Sequence, residues 1–138
     1  MQLSVFALYC KDVRKNPEAA DALEIQNITG GAEMIGVIDY DAGNIRSVEK
    51  ALHYLGEETV VSRDPKVLLG ADKVILPGVG SFGDAMNNLN RFGLVPVIRE
   101  IADKKTPFLG ICLGLQLLFE SSEETPGVEG LGLLRGKI

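Results

Sequence analysis

From Met34 onward, short apolar runs alternate with helix-patterned segments, and this alternation limits the fold more than any other feature of the sequence. The run MIGVIDY is almost continuously apolar, as expected for a strand buried on both faces. The next segment, NIRSVEKALHYLG, has a helical stripe that ends at Gly56. The stripe consists of Ile45, Val48, Leu52 and Leu55.

The same alternation continues to the end of the chain. Strands are predicted in ETVVSR, DKVILPG and TPFLGI, and helices in GDAMNNLNRFG, LVPVIREIADKK and LGLQLLFESSEE. The closing GLGLLRGKI resembles the beginning of another strand. Buried strands that alternate with helices predict an α/β fold with a doubly wound, mostly parallel sheet, which binds ligands outside the carboxyl ends of its strands.

Residues 1–33 do not share this pattern. They combine a short apolar piece, a charged stretch and NITGGAE, and Met34 directly precedes the first credible core strand. We interpret residues 1–33 as an N-terminal extension, either a translated leader or a weakly ordered segment. The alternative is a genuine additional helix over NPEAADALEI. Residues 34–138 form the predicted domain.

Composition argues against two classes of partner. The chain has 138 residues and a net charge of −5, which gives no basic face for nucleic acid. No apolar run reaches the ~18 residues that a membrane helix needs. The two cysteines, Cys10 and Cys112, permit at most one disulfide, and free thiols in a reducing compartment are the simpler interpretation. We therefore expect a cytoplasmic protein that binds neither nucleic acid nor membrane.

Cys112 lies between two glycines at a predicted strand-to-helix junction. The spacing Gly110-Ile111-Cys112-Leu113-Gly114 is that of the G-x-S-x-G elbow of hydrolases, with sulfur in place of oxygen. A helix that begins at Leu113 would direct free N–H groups at the sulfur and favour the nucleophilic thiolate. The alternative is a buried structural cysteine, which would not need glycine on both sides.

The second candidate feature is LPGVGSFGDAM, which follows the third predicted strand. A Pro-Gly-x-Gly turn can direct the backbone N–H groups of Val79 or Gly80 at an oxyanion, while Leu113 supplies another beside the nucleophile. Alone, such a loop is equally consistent with phosphate binding or with a simple turn. Its pairing with an elbow after the next strand favours the oxyanion hole.

Together these residues resemble the class I, triad-type glutamine amidotransferases, which have a flavodoxin-like fold. More narrowly, the chain is similar to the glutaminase subunits of imidazole glycerol phosphate synthase. The similarity extends almost continuously over residues 34–138 and depends on IDYDAGNIRSVEKAL, VILPGVGSFGDAM, PFLGICLGLQLLFESSEE and GLGLLRGKI. One departure is Asp41-Ala42, where that family commonly has a glycine after the tyrosine.

The resemblance implies a catalytic role for Cys112, which would attack the side-chain amide of glutamine, release ammonia and form a glutamyl thioester that water cleaves. It also implies that Gly78 and Gln116 bind substrate. Val79 and Gly80 match the loop that forms the oxyanion hole, in that family only after rearrangement on partner binding.

The resemblance also implies a partner. Ammonia would be channelled to a cyclase subunit with a (β/α)8 barrel, in a heterodimer that serves histidine biosynthesis. There it would meet a phosphoribulosyl-formimino intermediate and give imidazole glycerol phosphate. The loop with Gly43 and Asn44 matches part of the cyclase-facing edge.

The family's general base is missing from this sequence. In that family, a histidine and a glutamate from a later segment complete the triad, because the leaving amine needs a proton. The only histidine here is His53, about 120° around its predicted helix from the apolar stripe, which indicates a solvated flank. The ESSEE run is interpreted as a solvated helix end. We therefore expect residues 34–138 to be the N-terminal portion of a glutaminase domain, inactive alone and destabilised by an unpaired sheet edge.

Two other functional classes stay open at this point. One is another thiol hydrolase of the related doubly wound fold, and the other is a non-catalytic binding or regulatory module. The sequence contains no metal-ligand cluster, no P-loop and no dinucleotide fingerprint, because DYDAGN after the first predicted strand lacks the G-x-G-x-x-G spacing, so we expect no metal and no cofactor.

Overall fold

A computed structural model describes residues 33–138, and the predictions for residues 1–32 lie outside the described residues. Four parallel strands form one sheet in the order β2-β1-β3-β4. This arrangement confirms the predicted α/β fold and each of the four predicted strands. The strands are β1 (Met34–Ile38), β2 (Glu58–Ser62), β3 (Lys73–Leu76) and β4 (Phe108–Gly110).

Helices lie on both faces of the sheet, as the doubly wound prediction requires. The helices are α1 (Ile45–Tyr54), α2 (Pro65–Leu69), α3 (Phe82–Arg91), α4 (Leu94–Asp103) and α5 (Leu113–Gln116). Helix α1 packs on one face, against Ile35, Val37 and Ile75, and the other four pack on the opposite face. The predicted stripe of α1 is correct except at Leu55, which follows the last helical residue and is 70% exposed.

Helix α2 was not predicted, because five residues are too few to show a helical period. Two local signals nevertheless mark its start. The Asp64 carboxylate accepts a hydrogen bond from the backbone N–H of Lys66, and Pro65 occupies the first helical position. Both are preferred N-terminal features of helices. Leu68 is the fully buried residue of this helix.

The prediction beyond Gln116 was wrong in two respects. The last helix was predicted to extend through LGLQLLFESSEE, but α5 ends at Gln116, and the closing segment does not join the sheet as a strand. Instead, backbone N–H groups of the closing segment donate to the carbonyls that a longer helix would use. The N–H of Leu131 donates to Leu117, and that of Leu134 donates to Leu118. These long-range bonds replace helical ones.

The two loops that matter for function meet where the strand order changes direction. Strand β1 lies between β2 and β3, so the chain leaves it first toward one side and later toward the other. In open α/β sheets, ligands bind at this switch point, outside the carboxyl ends of the strands. The first loop (residues 39–44) follows β1, and the proline–glycine loop (residues 77–81) follows β3. The elbow follows β4, beside β3.

Candidate functional site

Cys112 lies at the sharp turn between β4 and α5. Its backbone has φ 53° and ψ −118°, a combination that an L-amino acid rarely adopts. Such a conformation costs about 1–3 kcal/mol and persists only where the surrounding structure imposes it. The thiol is free and exposed, so the alternative of a buried structural cysteine is wrong.

Close packing explains both glycines that flank the elbow. A Cβ at Gly110 would lie 2.7 Å from the Cα of Leu115, and a Cβ at Gly114 would overlap the carbonyl oxygen of Leu76. Real Cβ atoms essentially never approach other atoms this closely. The start of α5 therefore presses directly on β3 and β4, and the chain must turn abruptly at Cys112 to reach it.

The proline–glycine loop is packed against the same turn. Pro77 and Gly78 are buried, and a Cβ at Gly78 would lie 2.7 Å from the backbone nitrogen of Gly114. From the first loop, the Tyr40 hydroxyl donates a 2.6 Å hydrogen bond to the carbonyl oxygen of Pro77. Burial raises the pKa of the Tyr40 hydroxyl, so the group stays a donor. These contacts fix the beginning of the loop beside the elbow.

Three backbone N–H groups, two in the proline–glycine loop and one at the start of α5, have no acceptor among the described residues. Among the described residues, those of Val79, Gly80 and Leu113 donate no hydrogen bond. Val79 is 49% exposed, and Gly80 has φ 101°, a conformation that suits glycine. Leu113 is buried at the first position of α5. Free N–H donors of this kind are what an oxyanion hole requires.

All predicted site residues except Leu113 line one of two neighbouring grooves. The first groove, of about 430 Å³, contains Cys112 and is otherwise mainly apolar, with α1 and β4 on its walls. It also brings in the predicted residues Gly43, Asn44, Gly78 and Val79. The second groove, of about 410 Å³, holds Gly80 and Gln116, together with Ser122, Glu123, Glu124 and Ile138. Leu113 lines neither groove.

The second groove includes a carboxylate that the sequence-based interpretation missed. Glu124 accepts a 3.0 Å hydrogen bond from the backbone N–H of Phe82, the first residue of α3. The Ser122 hydroxyl in turn accepts a hydrogen bond from the N–H of Glu124, and Ser122 is buried. The ESSEE run is therefore a structured wall of a groove, and the interpretation as a solvated helix end was wrong. No local signal marked this contact in the sequence, because Glu124 lies 42 positions from Phe82.

His53 is remote from the elbow. It is exposed on α1 and lines a groove with Met34 and Glu58, the first residues of β1 and β2. This groove opens at the amino edge of the sheet, whereas Cys112 follows the carboxyl end of β4. The predicted position of His53, on a solvated helix flank away from Cys112, is confirmed.

A charged cluster holds the first loop. The Arg63 guanidinium donates 2.7 Å hydrogen bonds to Asp39 and to Asp41, and Arg91 lies 3.5 Å from the other carboxylate oxygen of Asp41. Partial burial opposes ionisation of Asp39, but the hydrogen bonds from Arg63 and from the Asp41 backbone outweigh it. The pKa of Asp39 therefore lies below its ordinary value.

Two other kinds of feature are absent from the described residues. In residues 33–138, no group of three or more histidine, cysteine, aspartate or glutamate side chains is placed to hold a metal ion. None of the helices described is both long and apolar enough to cross a membrane.

Comparison with known proteins decides the family. A family model described as glutamine amidotransferase class-I matches residues 36–131, which include the first loop, the proline–glycine loop and the elbow. This chain belongs to the class-I glutamine amidotransferases. A crystal structure of a glutamine amidotransferase superimposes with a TM-score of 0.65 at 25% identity, over 78% of this chain and 55% of that chain.

The similar sequences bear the name imidazole glycerol phosphate synthase subunit HisH. The protein from Sulfurimonas denitrificans is 53% identical over 105 residues, which are 76% of this chain and 51% of that protein. The protein from Bacillus cereus strain G9842 is 57% identical over 105 residues, which are 76% of this chain and 50% of that protein. The chain thus spans about half the length of these relatives.

Proposed function

We propose that Cys112 is the nucleophile of a glutaminase and that this class-I glutamine amidotransferase acts as the glutaminase subunit of an imidazole glycerol phosphate synthase. The observation that carries the proposal is the exposed thiol at a strained turn, bracketed by glycines that packing requires. The sequence identity of 53% and 57% to two HisH proteins supports the assignment to imidazole glycerol phosphate synthase.

The proposed reaction begins with attack of the Cys112 sulfur on the carboxamide carbon of glutamine. A C–S bond forms, and the carbonyl oxygen becomes an oxyanion that the N–H groups of Val79, Gly80 and Leu113 are available to stabilise. The C–N bond then breaks, and the nitrogen leaves as ammonia after taking up a proton. Water cleaves the glutamyl thioester, which releases glutamate and restores the thiol.

Glutamine binding is proposed to span the two grooves on either side of the elbow. Gly78 belongs to the buried part of the proline–glycine loop, and Gln116 lines the second groove next to Glu123 and Glu124. Those carboxylates match the positive α-ammonium group of glutamine, whereas the apolar first groove offers no such partner. The amide end of the substrate then points toward Cys112.

The proposed partner is a cyclase subunit with a (β/α)8 barrel that receives the ammonia. The first loop, with Gly43 and Asn44, lies at the carboxyl edge of the sheet and is exposed, as a docking edge requires. In this heterodimer the ammonia serves histidine biosynthesis. The free thiol suits a reducing cytoplasm, and the proposed chemistry needs neither a metal nor a cofactor.

The proposed reaction also needs a base, and residues 33–138 place no histidine near Cys112. The only histidine in the sequence is His53, at the opposite edge of the sheet. Without a group that takes the thiol proton and returns it to the leaving amine, the amide nitrogen is a very poor leaving group. The chain should therefore bind glutamine and present a reactive thiol, yet turn over glutamine negligibly.

The test uses an electrophile whose leaving group needs no proton. The chloromethyl ketone analogue of L-glutamine forms a C–S bond with a cysteine and expels chloride. Mass spectrometry should locate the adduct on Cys112, with faster labelling by the L-analogue than by its D-enantiomer, and Cys112→Ser should remove the adduct. Equal rates for the two enantiomers would show that the thiol is reactive but that the site does not recognise glutamine, as expected for a different thiol hydrolase. An inert Cys112 would favour a non-catalytic module.

A further inference from the structure

Asp41 occupies a backbone conformation that glycine adopts far more easily. Its φ is 63°, and it follows the buried Tyr40 at the carboxyl end of β1. An aspartate tolerates this left-handed region better than most residues, but it does so at a cost relative to glycine. An aspartate here therefore needs a compensating interaction.

That interaction is a pair of arginines from two other elements. Arg63, just after β2, donates to one carboxylate oxygen of Asp41 at 2.7 Å, and Arg91, at the end of α3, lies 3.5 Å from the other. Both guanidinium groups also lie over the ring of Phe92, at 4.2 and 4.6 Å from its centre. This contact restricts where the two cations can go. We call Asp41, Arg63 and Arg91 the loop latch.

The loop latch has a mechanical consequence two residues further along the first loop. A Cβ at Gly43 would lie only 3.0 Å from a methyl carbon of Val79, so Gly43 packs against the proline–glycine loop. Tyr40 forms a second contact between the two loops, through its hydrogen bond to Pro77. The Tyr40 contact holds the buried beginning of the proline–glycine loop, whereas Gly43 touches its exposed middle.

We propose that Asp41 is a positioning residue for the proline–glycine loop: its ion pairs with Arg63 and Arg91 hold the first loop so that Gly43 stays against Val79. The inference rests on the proposed function only for the role of Val79 as an oxyanion-hole residue. The contact itself exists whether or not Cys112 reacts with glutamine.

A purely stabilising role would predict a different result. Exposed ion pairs contribute little to global stability, and the three side chains of the loop latch are between 39% and 67% exposed. The expected effect is therefore local. Breaking the loop latch changes the Gly43–Val79 contact and the mobility of Val79 and Gly80, but hardly the unfolding transition.

The test is solution NMR on the intact chain with Asp41→Asn. Asparagine tolerates the left-handed conformation and removes only the charge. The nuclear Overhauser effect between the Gly43 Hα protons and the Val79 methyl groups should lose most of its intensity, and the Val79 and Gly80 signals should change in linewidth. The matched control is Asp103→Asn, an exposed carboxylate at the end of α4, which should change neither.

Asp41→Gly gives a second and independent readout. This substitution removes the ion pairs of the loop latch and also relieves the strained backbone. The thermal midpoint of unfolding should therefore equal or exceed that of the wild type, while the nuclear Overhauser effect between Gly43 and Val79 is lost. A nuclear Overhauser effect between Gly43 and Val79 of wild-type intensity in either Asp41 variant would overturn the proposal. An equal loss in Asp103→Asn would also overturn it, because the cause would then be overall charge rather than the loop latch.

Discussion

At the scale of single residues, Gly114 is the position in the elbow with the least room for a side chain. In Gly114→Ala, the added methyl would overlap the backbone carbonyl of Leu76, which cannot move aside as a flexible side chain can. We expect a loss of about 1–3 kcal/mol or more in the free energy of unfolding, measured by urea denaturation. Gly70→Ala is the milder comparison, because its Cβ would lie 3.2 Å from the carbonyl oxygen of Lys66, which requires a shift of only a few tenths of an ångström. Equal stability of the two variants would contradict this account.

Gly78→Ala tests the contact between the elbow and the proline–glycine loop. Its Cβ would lie 2.7 Å from both the Gly114 nitrogen and the Tyr40 hydroxyl oxygen. The loop must then move away from Cys112, so labelling by the chloromethyl ketone analogue of L-glutamine should slow, while labelling by its D-enantiomer changes less. Mass spectrometry measures both rates. An unchanged preference for the L-analogue would show that this contact does not position the site.

Asp39 provides a pH-dependent prediction. Because its pKa is lowered in the folded state, it contributes stability above the unfolded pKa of about 3.9, and this stability is lost as the pH falls through the folded pKa. In Arg63→Met the folded pKa of Asp39 should rise. The variant should therefore be less stable than the wild type at neutral pH, and its free energy of unfolding should fall less on acidification. Carboxyl NMR titration measures the pKa directly. The control is Lys104→Met, which removes an ion pair with Glu100 and should leave the pKa of Asp39 unchanged. If the pKa of Asp39 does not change in Arg63→Met, then Arg63 is not the cause of its lowered value.

At the scale of elements, Ser81 connects the proline–glycine loop to α3. Its hydroxyl accepts a 3.3 Å hydrogen bond from the N–H of Asp84 and donates at 2.7 Å to the Asp84 carboxylate. We expect Ser81→Ala to cost about 1 kcal/mol in thermal or urea unfolding, as for other N-caps. Ser81→Thr keeps the hydroxyl and should recover most of this stability. If threonine proves as damaging as alanine, the cap is not the cause.

Most elements were predictable because local patterns and tertiary packing agree. The buried strands and the α1 stripe follow directly from their apolar periods. The extent of α5 was not predictable, since Leu117 and Leu118 are buried as a helix pattern implies, yet their carbonyls bond to the distant Leu131 and Leu134. A sequence pattern reports burial well, but it does not say which backbone group completes the hydrogen bond.

The same distinction applies to the site. The Gly-x-Cys-x-Gly spacing predicted the exposed elbow, because the steric requirement is local. The hydrogen bond from Tyr40 to Pro77 joins residues 37 positions apart, and that from Phe82 to Glu124 joins residues 42 positions apart. Nothing local specifies such pairs. Sequence motifs therefore identified the turn that presents the proposed nucleophile, and the folded chain was needed to identify the distant residues that pack around that turn.

At the scale of the whole molecule, Cys112 and the single histidine of the sequence, His53, lie at opposite edges of the sheet. We expect purified chain to release ammonia from glutamine at no more than the background rate, also with a cyclase subunit present, because no imidazole lies near Cys112. A coupled ammonia assay measures this rate, with Cys112→Ser as the background. A rate well above that of Cys112→Ser would mean that another group serves as the base.

The most direct test of the central claim asks whether glutamine occupies the site at Cys112. The small reagent chloroacetamide alkylates the exposed thiol, and the rate is followed by mass spectrometry with increasing L-glutamine or D-glutamine. We predict that L-glutamine slows alkylation of Cys112 in a saturable way, whereas D-glutamine has little effect. Alkylation at the same rate with and without saturating L-glutamine would contradict the assignment of this elbow as a glutaminase site.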